Sequence, residues 1–273
     1  MRRIWRCKKG DMKPPHHIRI GTPGAPKVAF GHGWDRSHRD FIPVAEALAP
    51  LVDAYLFDLP GFGKSERPDD AWGTVEYADY MARHMVDQLG FDLCTWVGHS
   101  LGGRIGLRLG RRSGGLIERL VIVAGAGIPR QTSKWEQLKR KRSSAKFQRL
   151  KANAKDEAEL IELERKFGSV DYVHSRETGM RDIFTATVTE DQSADLARIM
   201  MPTTLIYGAE DRDTPPEIGR KIASLVPNAS YVEVPFCDHI SILDRGRHQI
   251  ALAIKEGLPK GAPTAADLAE AKP

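Results

Sequence analysis

Cysteine is scarce in this chain, and its scarcity argues against two classes of protein. Cys7, Cys94 and Cys237 cannot all pair within one chain, and their spacing matches no metal-ligand pattern. Neither a disulfide framework nor a cysteine-based metal site is expected; free thiols in a reducing cytoplasm are. Long apolar runs are missing as well. No stretch reaches the ~18 residues that cross a bilayer. The basic start at residues 1–9 leads into no apolar segment, so a secretory leader is not expected. There is no internal repeat. A strong excess of one charge is lacking too: +5 over 273 residues is mild, and nucleic acid is not an expected partner. Asp58-Leu59-Pro60-Gly61-Phe62-Gly63-Lys64-Ser65 is rich in glycine, but its spacing is not that of a phosphate-cradling loop.

What is present is an alternation of strand-like and helix-like segments. Apolar, β-favouring runs occupy residues 27–31, 54–57, 95–97 and 120–124, and helical periodicity occupies 41–48, 74–89 and 101–112. That rhythm implies right-handed crossovers and a mostly parallel sheet covered on both faces. Residues 1–26 are basic and proline-punctuated, with short antiparallel edge strands expected at 4–6 and 17–20. Residues 126–200 break the rhythm with helices at 133–153 and 156–167. The first of these is strongly basic (Lys134, Lys139, Arg140, Lys141, Arg142, Lys146, Arg149, Lys151), with Trp135, Leu138, Phe147 and Leu150 interspersed. It is expected to expose its charged face and to lay its apolar side over the active site, with weak contact to an anionic membrane surface as the sharper alternative. The rhythm resumes at 203–207, 217–225, 230–234 and 246–256, and a frayed tail is expected from 257 on. The domain reading is thus a discontinuous core at 1–125 and 201–256, a helical cap at 126–200 and a flexible tail at 257–273.

Chemistry concentrates at the ends of the predicted strands. In Gly98-His99-Ser100-Leu101-Gly102 a serine stands between a strand and a helix, the context that a nucleophile elbow requires. Glycines two residues before and after leave room for the strained turn that lifts a serine Oγ clear of the sheet. The Leu101 N–H, at the helix start, points where an oxyanion would form, and Trp34 in His32-Gly33-Trp34, or the residue beside it, is expected to supply the second N–H. Later in the chain an acid from Glu210, Asp211 or Asp213 and the base His239 follow further strands, and carboxyl ends of parallel strands converge. His32 is expected to pin loops, and His99 to be packed or hydrogen-bonded in the elbow. Arg104 is expected to be a surface or supporting group, and Cys237 a small buried apolar residue.

These pieces, with Gly208, Asp211 and Pro215 in one loop and Asp238-His239 in another, resemble the α/β-hydrolase fold superfamily in its cap-bearing, esterase-like group. The resemblance spans roughly residues 27–256. It implies a mostly parallel sheet of about eight strands flanked by helices, with a helical cap inserted after the sixth strand. It also implies roles: Ser100 as nucleophile, His239 as general base, and Asp211 as the carboxylate that orients it. The activity implied is a serine hydrolase acting on a small or medium carboxylic ester, without cofactor or metal, in the cytoplasm. C–C bond, thioester or lactone hydrolysis, or haloperoxidase-like chemistry, would use the same triad. A non-catalytic ligand-binding protein on the same scaffold is the rival from another class.

Overall fold

The apolar runs pair into one sheet in a computed structural model that describes residues 12–112, 114–130 and 133–259. Among these residues there are seven strands: β1 (His17–Gly21), β2 (Lys27–Gly31), β3 (Asp53–Phe57), β4 (Cys94–His99), β5 (Ile117–Val123), β6 (Thr203–Gly208) and β7 (Ala229–Val234). Their order is β1-β3-β2-β4-β5-β6-β7. β1 runs antiparallel to β3 and every other pairing is parallel. The strand expected at 4–6, Cys7 and the tail beyond residue 259 lie outside the described residues. Counting the strand expected at 4–6, β5 is the sixth strand of the expected count, and the helical insertion does follow it.

Side chains along the strands alternate between two cores, as the two-residue period of a pleated strand requires. Ala29, Trp96, Leu120, Ile122 and Tyr207 face one side; Val28, Phe30, Val97, Val121 and Ile206 face the other. Helices α1 (Ile42–Leu48), α2 (Thr74–Arg83) and α3 (Leu101–Arg112) follow the first strands. The stretch expected as one helix to Leu89 widens after Arg83 into a π-helical segment, His84–Gln88.

The insertion holds α4 (Lys134–Ala152), α5 (Glu157–Phe167), α6 (Val170–Glu177), α7 (Arg181–Thr189) and α8 (Ser193–Leu196). Two of its starts are set by capping: the Asp156 side chain accepts from Glu159 N–H, and Ser169 Oγ from Tyr172 N–H. α9 (Pro216–Leu225), α10 (Ile242–Arg245) and α11 (Arg247–Lys255) complete the chain. Among the described residues no helix is long and apolar enough to cross a membrane.

The structure corrects the expectation for the basic helix. Along α4, Trp135 is 70% exposed, and Leu138 and Leu150 are also open to solvent. Only Phe147 turns inward, stacking on Phe167 of α5. Charges recur on every side of this helix, so it has no continuous apolar stripe to lay over a site. The insertion is anchored elsewhere. Arg67 grips Asp182 at the start of α7 with two hydrogen bonds of 2.8 Å, and Glu190 at its end accepts from Thr74 N–H and Arg108 Nη2. Within the insertion, Arg176 and Arg181 both fork onto the buried Glu164. Burial works against that charge, but the arginine hydrogen bonds outweigh it and hold the Glu164 carboxyl down at about 2.

Candidate active site

β4 ends at His99, and the chain turns straight into α3. Ser100 at the turn has φ 47°, a left-handed conformation that costs a non-glycine residue energy and persists only where the surroundings enforce it. The enforcement is visible. Ser100 N–H donates to Val123 O at 3.0 Å, and Gly102 N–H to His32 O at 3.0 Å. A Cβ on Gly98 would lie 2.1 Å from Gly102 O, and one on Gly102 would lie 2.0 Å from Gly31 O. Only glycines let β4, α3 and β2 approach this closely.

The three expected side chains meet. Ser100 Oγ lies 3.0 Å from His239 Nε2, and His239 Nδ1 lies 2.8 Å from Asp211 Oδ2. Asp211 is buried. Its Oδ1 accepts from the N–H groups of Asp213 and Thr214 at 2.9 and 2.8 Å. Glu210 and Asp213, the other candidate acids, are exposed, and neither hydrogen-bonds to His239. Thr214 is the residue that sequence reasoning missed. Its buried hydroxyl is within hydrogen-bonding distance of Asp211 Oδ2 (2.9 Å), Ala124 O (2.8 Å) and His239 Nδ1 (3.1 Å). It ties the acid to the end of β5, and no local pattern announces a partner 90 residues away.

His99 is fully buried, and its Nε2 donates to His239 O at 2.8 Å. Burial pushes its pKa well below the ordinary value, with the nearby His239 adding to the effect, so it stays neutral. It is packed and hydrogen-bonded in the elbow, as expected, and its bond holds the loop of His239. Arg104 is not a plain surface group. It is partly buried one turn after Ser100, donates to Thr187 O of α7 at 3.2 Å, and so joins α3 to the insertion. Cys237 is buried, and burial pushes its thiol pKa up, which fits a small apolar packing residue.

His32 sets the geometry of the other wall. Its Nε2 accepts from Leu59 N–H at 2.9 Å and its Nδ1 donates to Gly33 O at 2.7 Å. A trans peptide carries its C=O and N–H on opposite sides, so holding Gly33 O back against His32 turns the Trp34 N–H the other way. Among the described residues neither the Trp34 N–H nor the Leu101 N–H has a hydrogen-bond acceptor. The Trp34 ring meets Phe62 and Phe184 edge-on, each at 4.9 Å. A cavity of about 490 Å³ runs beside Trp34, Phe62 and Met180. A larger cleft of about 1000 Å³ opens past His239 between Asp213, Glu217 and Arg130. α6 and α7 bring groups of the insertion to this wall. Phe184 packs on Trp34, and burial, followed by the charges of Asp213 and Asp35, raises the pKa of Asp171.

The profile of the alpha/beta hydrolase family matches residues 28–253. The chain belongs to that family. A pimeloyl-[acyl-carrier protein] methyl ester esterase of Chromobacterium violaceum is 28% identical over 232 residues, covering 80% of this chain and 89% of that protein. A 2-hydroxy-6-oxononadienedioate/2-hydroxy-6-oxononatrienedioate hydrolase of Cupriavidus pinatubonensis is 23% identical over 250 residues, covering 85% and 86%. Among solved structures, the enol-lactonase of Burkholderia xenovorans LB400 superposes with a TM-score of 0.67 at 22% identity, over 88% of this chain and 95% of that one. The last is a likeness of fold.

Burial of His32 has a consequence for this family member that denaturation will read. Loss of hydration pushes the imidazole down to about 4 from the ordinary 6.5. Between those values the unfolded chain takes up a proton that the folded chain refuses, so stability is complete above pH 6.5 and falls as the pH drops toward 4. The gap amounts to about 3 kcal/mol for this one group. Glu164 adds a second loss at lower pH: its contribution is present above about 4.5 and disappears as the pH falls toward 2. Urea unfolding at pH 7 and pH 4.5 is expected to show a clear drop in midpoint, and His32→Asn is expected to reduce it by the share of His32, since burial also pushes His84 and His99 down. An unchanged midpoint in the native protein would contradict a neutral, buried His32.

Proposed function

We propose that the protein is a serine hydrolase that cleaves a small or medium carboxylic ester through an acyl-enzyme. The observation that carries this reading is the unbroken line from Ser100 Oγ through His239 to Asp211, at 3.0 and 2.8 Å. His239 takes the proton of Ser100 as the oxygen attacks the carbonyl carbon, and Asp211 orients the imidazole and stabilises its cation. The tetrahedral oxyanion sits against the Trp34 and Leu101 N–H groups, donors worth roughly 3–4 kcal/mol each in other hydrolases. His239 then gives its proton to the leaving alkoxide. Water, deprotonated by the same imidazole, releases the acid and regenerates Ser100.

Trp34, Phe62 and Phe184 form an apolar surface beside the expected oxyanion site, and the insertion, through α6 and α7, acts as the cap that limits what enters. The activities named for the relatives, methyl ester cleavage in one and hydrolysis of an oxo-dienedioate in another, support a hydrolase, with ester cleavage among the reactions. The ester reading is preferred because every step above is met by a group already in place.

Labelling with a fluorophosphonate tests it. One probe per chain is expected on the peptide that holds Ser100, together with turnover of p-nitrophenyl esters that falls off beyond a definite acyl length. Labelling at Ser100 with no ester turnover would move the assignment to C–C, thioester or lactone substrates. Absence of labelling would leave a ligand-binding scaffold.

A further inference from the structure

Away from Ser100, Asp211 and His239, a further set of chemically capable side chains converges among the described residues. His16, just before β1, His38, after β2, and Asp58, after β3, bring together two imidazoles and a carboxylate. Asp58 Oδ1 lies 2.7 Å from His38 Nδ1, Asp58 Oδ2 lies 3.2 Å from His16 Nδ1, and all three donor atoms fall within 4.8 Å of one another. A tetrahedral zinc ion with bonds of about 2.0–2.1 Å holds its ligand atoms about 3.3 Å apart, so small side-chain shifts fit these donors to one ion. His16 Nδ1 is buried and makes no hydrogen bond, although it faces the Asp58 carboxylate at 3.2 Å. Removing such an atom from water costs energy unless something binds it.

Each donor is held by its own main chain. His16 N–H donates to Ser65 Oγ at 2.9 Å, and His16 O accepts from Asp58 N–H at 2.8 Å. Asp58 Oδ1 accepts from His38 N–H at 2.8 Å and Oδ2 from Lys64 N–H at 3.0 Å. The glycine-rich loop after β3 makes this possible. Gly63 has φ 56°, and a Cβ there would fall 2.3–2.6 Å from the Asp58 carboxyl atoms. The loop that does not cradle phosphate cradles its own aspartate. A carboxylate oxygen keeps a second lone pair after accepting one amide, so both oxygens remain able to bind a metal. Outer partners of this kind orient ligands before the ion arrives.

We propose that His16, His38 and Asp58 form a site for one divalent zinc ion. Both histidines bind through neutral Nδ1, each ring carrying its proton on Nε2. The carboxylate supplies the third ligand and water the fourth, from the side where His16 remains 27% exposed. The ion ties the segment leading into β1 to the loops that follow β2 and β3. It takes no part in the triad.

The test uses the untagged 273-residue chain loaded with Zn²⁺, passed through gel filtration and assayed for bound metal. The native protein is expected to retain one equivalent and to melt at a higher temperature with zinc than after chelation. His16→Gln and His38→Gln each keep an N–H for Asp58 but lose a metal ligand. Both are expected to show unchanged circular dichroism, an affinity for zinc at least about 100-fold weaker and no zinc-dependent rise in melting temperature. His239→Ala controls for the second group of potential ligands, Asp211, Asp213 and His239, and is expected to retain its equivalent. Zinc lost on gel filtration of the native protein, or zinc that depends on His239 and survives His16→Gln, overturns the assignment. Either result leaves the proposed hydrolase chemistry unaffected.

Discussion

Ser100→Ala is expected to lower kcat for ester hydrolysis by about 10⁴–10⁶ while leaving the circular dichroism spectrum and melting temperature close to those of the native protein. The size follows from where the oxygen stands. Ser100 Oγ is the atom that faces His239 Nε2 at 3.0 Å, and no other hydroxyl among the described residues hydrogen-bonds to that nitrogen. The small effect on the fold follows from the backbone. The turn is imposed by the close approach of β2, β4 and α3, and an alanine takes the same φ of 47° as the serine it replaces. Residual turnover above the uncatalysed rate is expected, since the N–H groups of Trp34 and Leu101 still meet an oxyanion when water is the nucleophile. Steady-state rates on a p-nitrophenyl ester measure this directly. Retention of more than a tenth of native kcat would mean that another group attacks.

Asp211→Asn is expected to cost about 10⁴ in kcat with little change in KM, for a reason that concerns a single proton. Asp211 Oδ1 already accepts two backbone N–H groups, from Asp213 and Thr214. An asparagine in the same place keeps its carbonyl oxygen on those amides and must turn its NH₂ toward His239. That NH₂ donates to Nδ1, which forces the imidazole proton onto Nε2. Nε2 then faces Ser100 with a hydrogen where a lone pair is needed. Asp211→Ala lacks the wrongly placed donor, so added formate is expected to recover part of its rate but none in Asp211→Asn. Equal rescue of both variants would contradict the tautomer argument. Thr214→Val, which leaves the two amides on Oδ1 undisturbed, is expected to produce a much smaller loss.

The meeting of Ser100, Asp211 and His239 was legible in the sequence because each stands where a strand ends, and strand ends are written locally. Gly98 and Gly102 mark the elbow by the space they leave. Asp211 stands three residues after Gly208, where the turn out of β6 delivers it to the sheet edge. Thr214 was illegible because its meaning lies in Ala124 O, which folding brings from the far side of the insertion. The same holds for Arg104, whose partner is a carbonyl on α7, and for the cluster of His16, His38 and Asp58, gathered from three separate segments. The short helices α6, α7 and α8 carry weak periodicity and are stabilised by anchors such as Arg67 on Asp182 that belong to the tertiary structure. The error over α4 has a physical cause as well: four apolar residues suggest a buried stripe only if no charges fall among them, and Lys139, Arg142, Lys146 and Arg149 lie on the same side of this helix.

The exposure of α4 bears on how the molecule meets others. That helix alone carries eight basic residues and one acidic, more than the +5 of the whole chain, so the remainder is net negative. Positive charge is therefore concentrated on α4, an exposed helix of the insertion. Any charged body approaching it exerts a torque before it makes contact, and that torque is screened over about 10 Å at 0.1 M salt. Encounter geometry, and not only encounter rate, becomes a function of ionic strength.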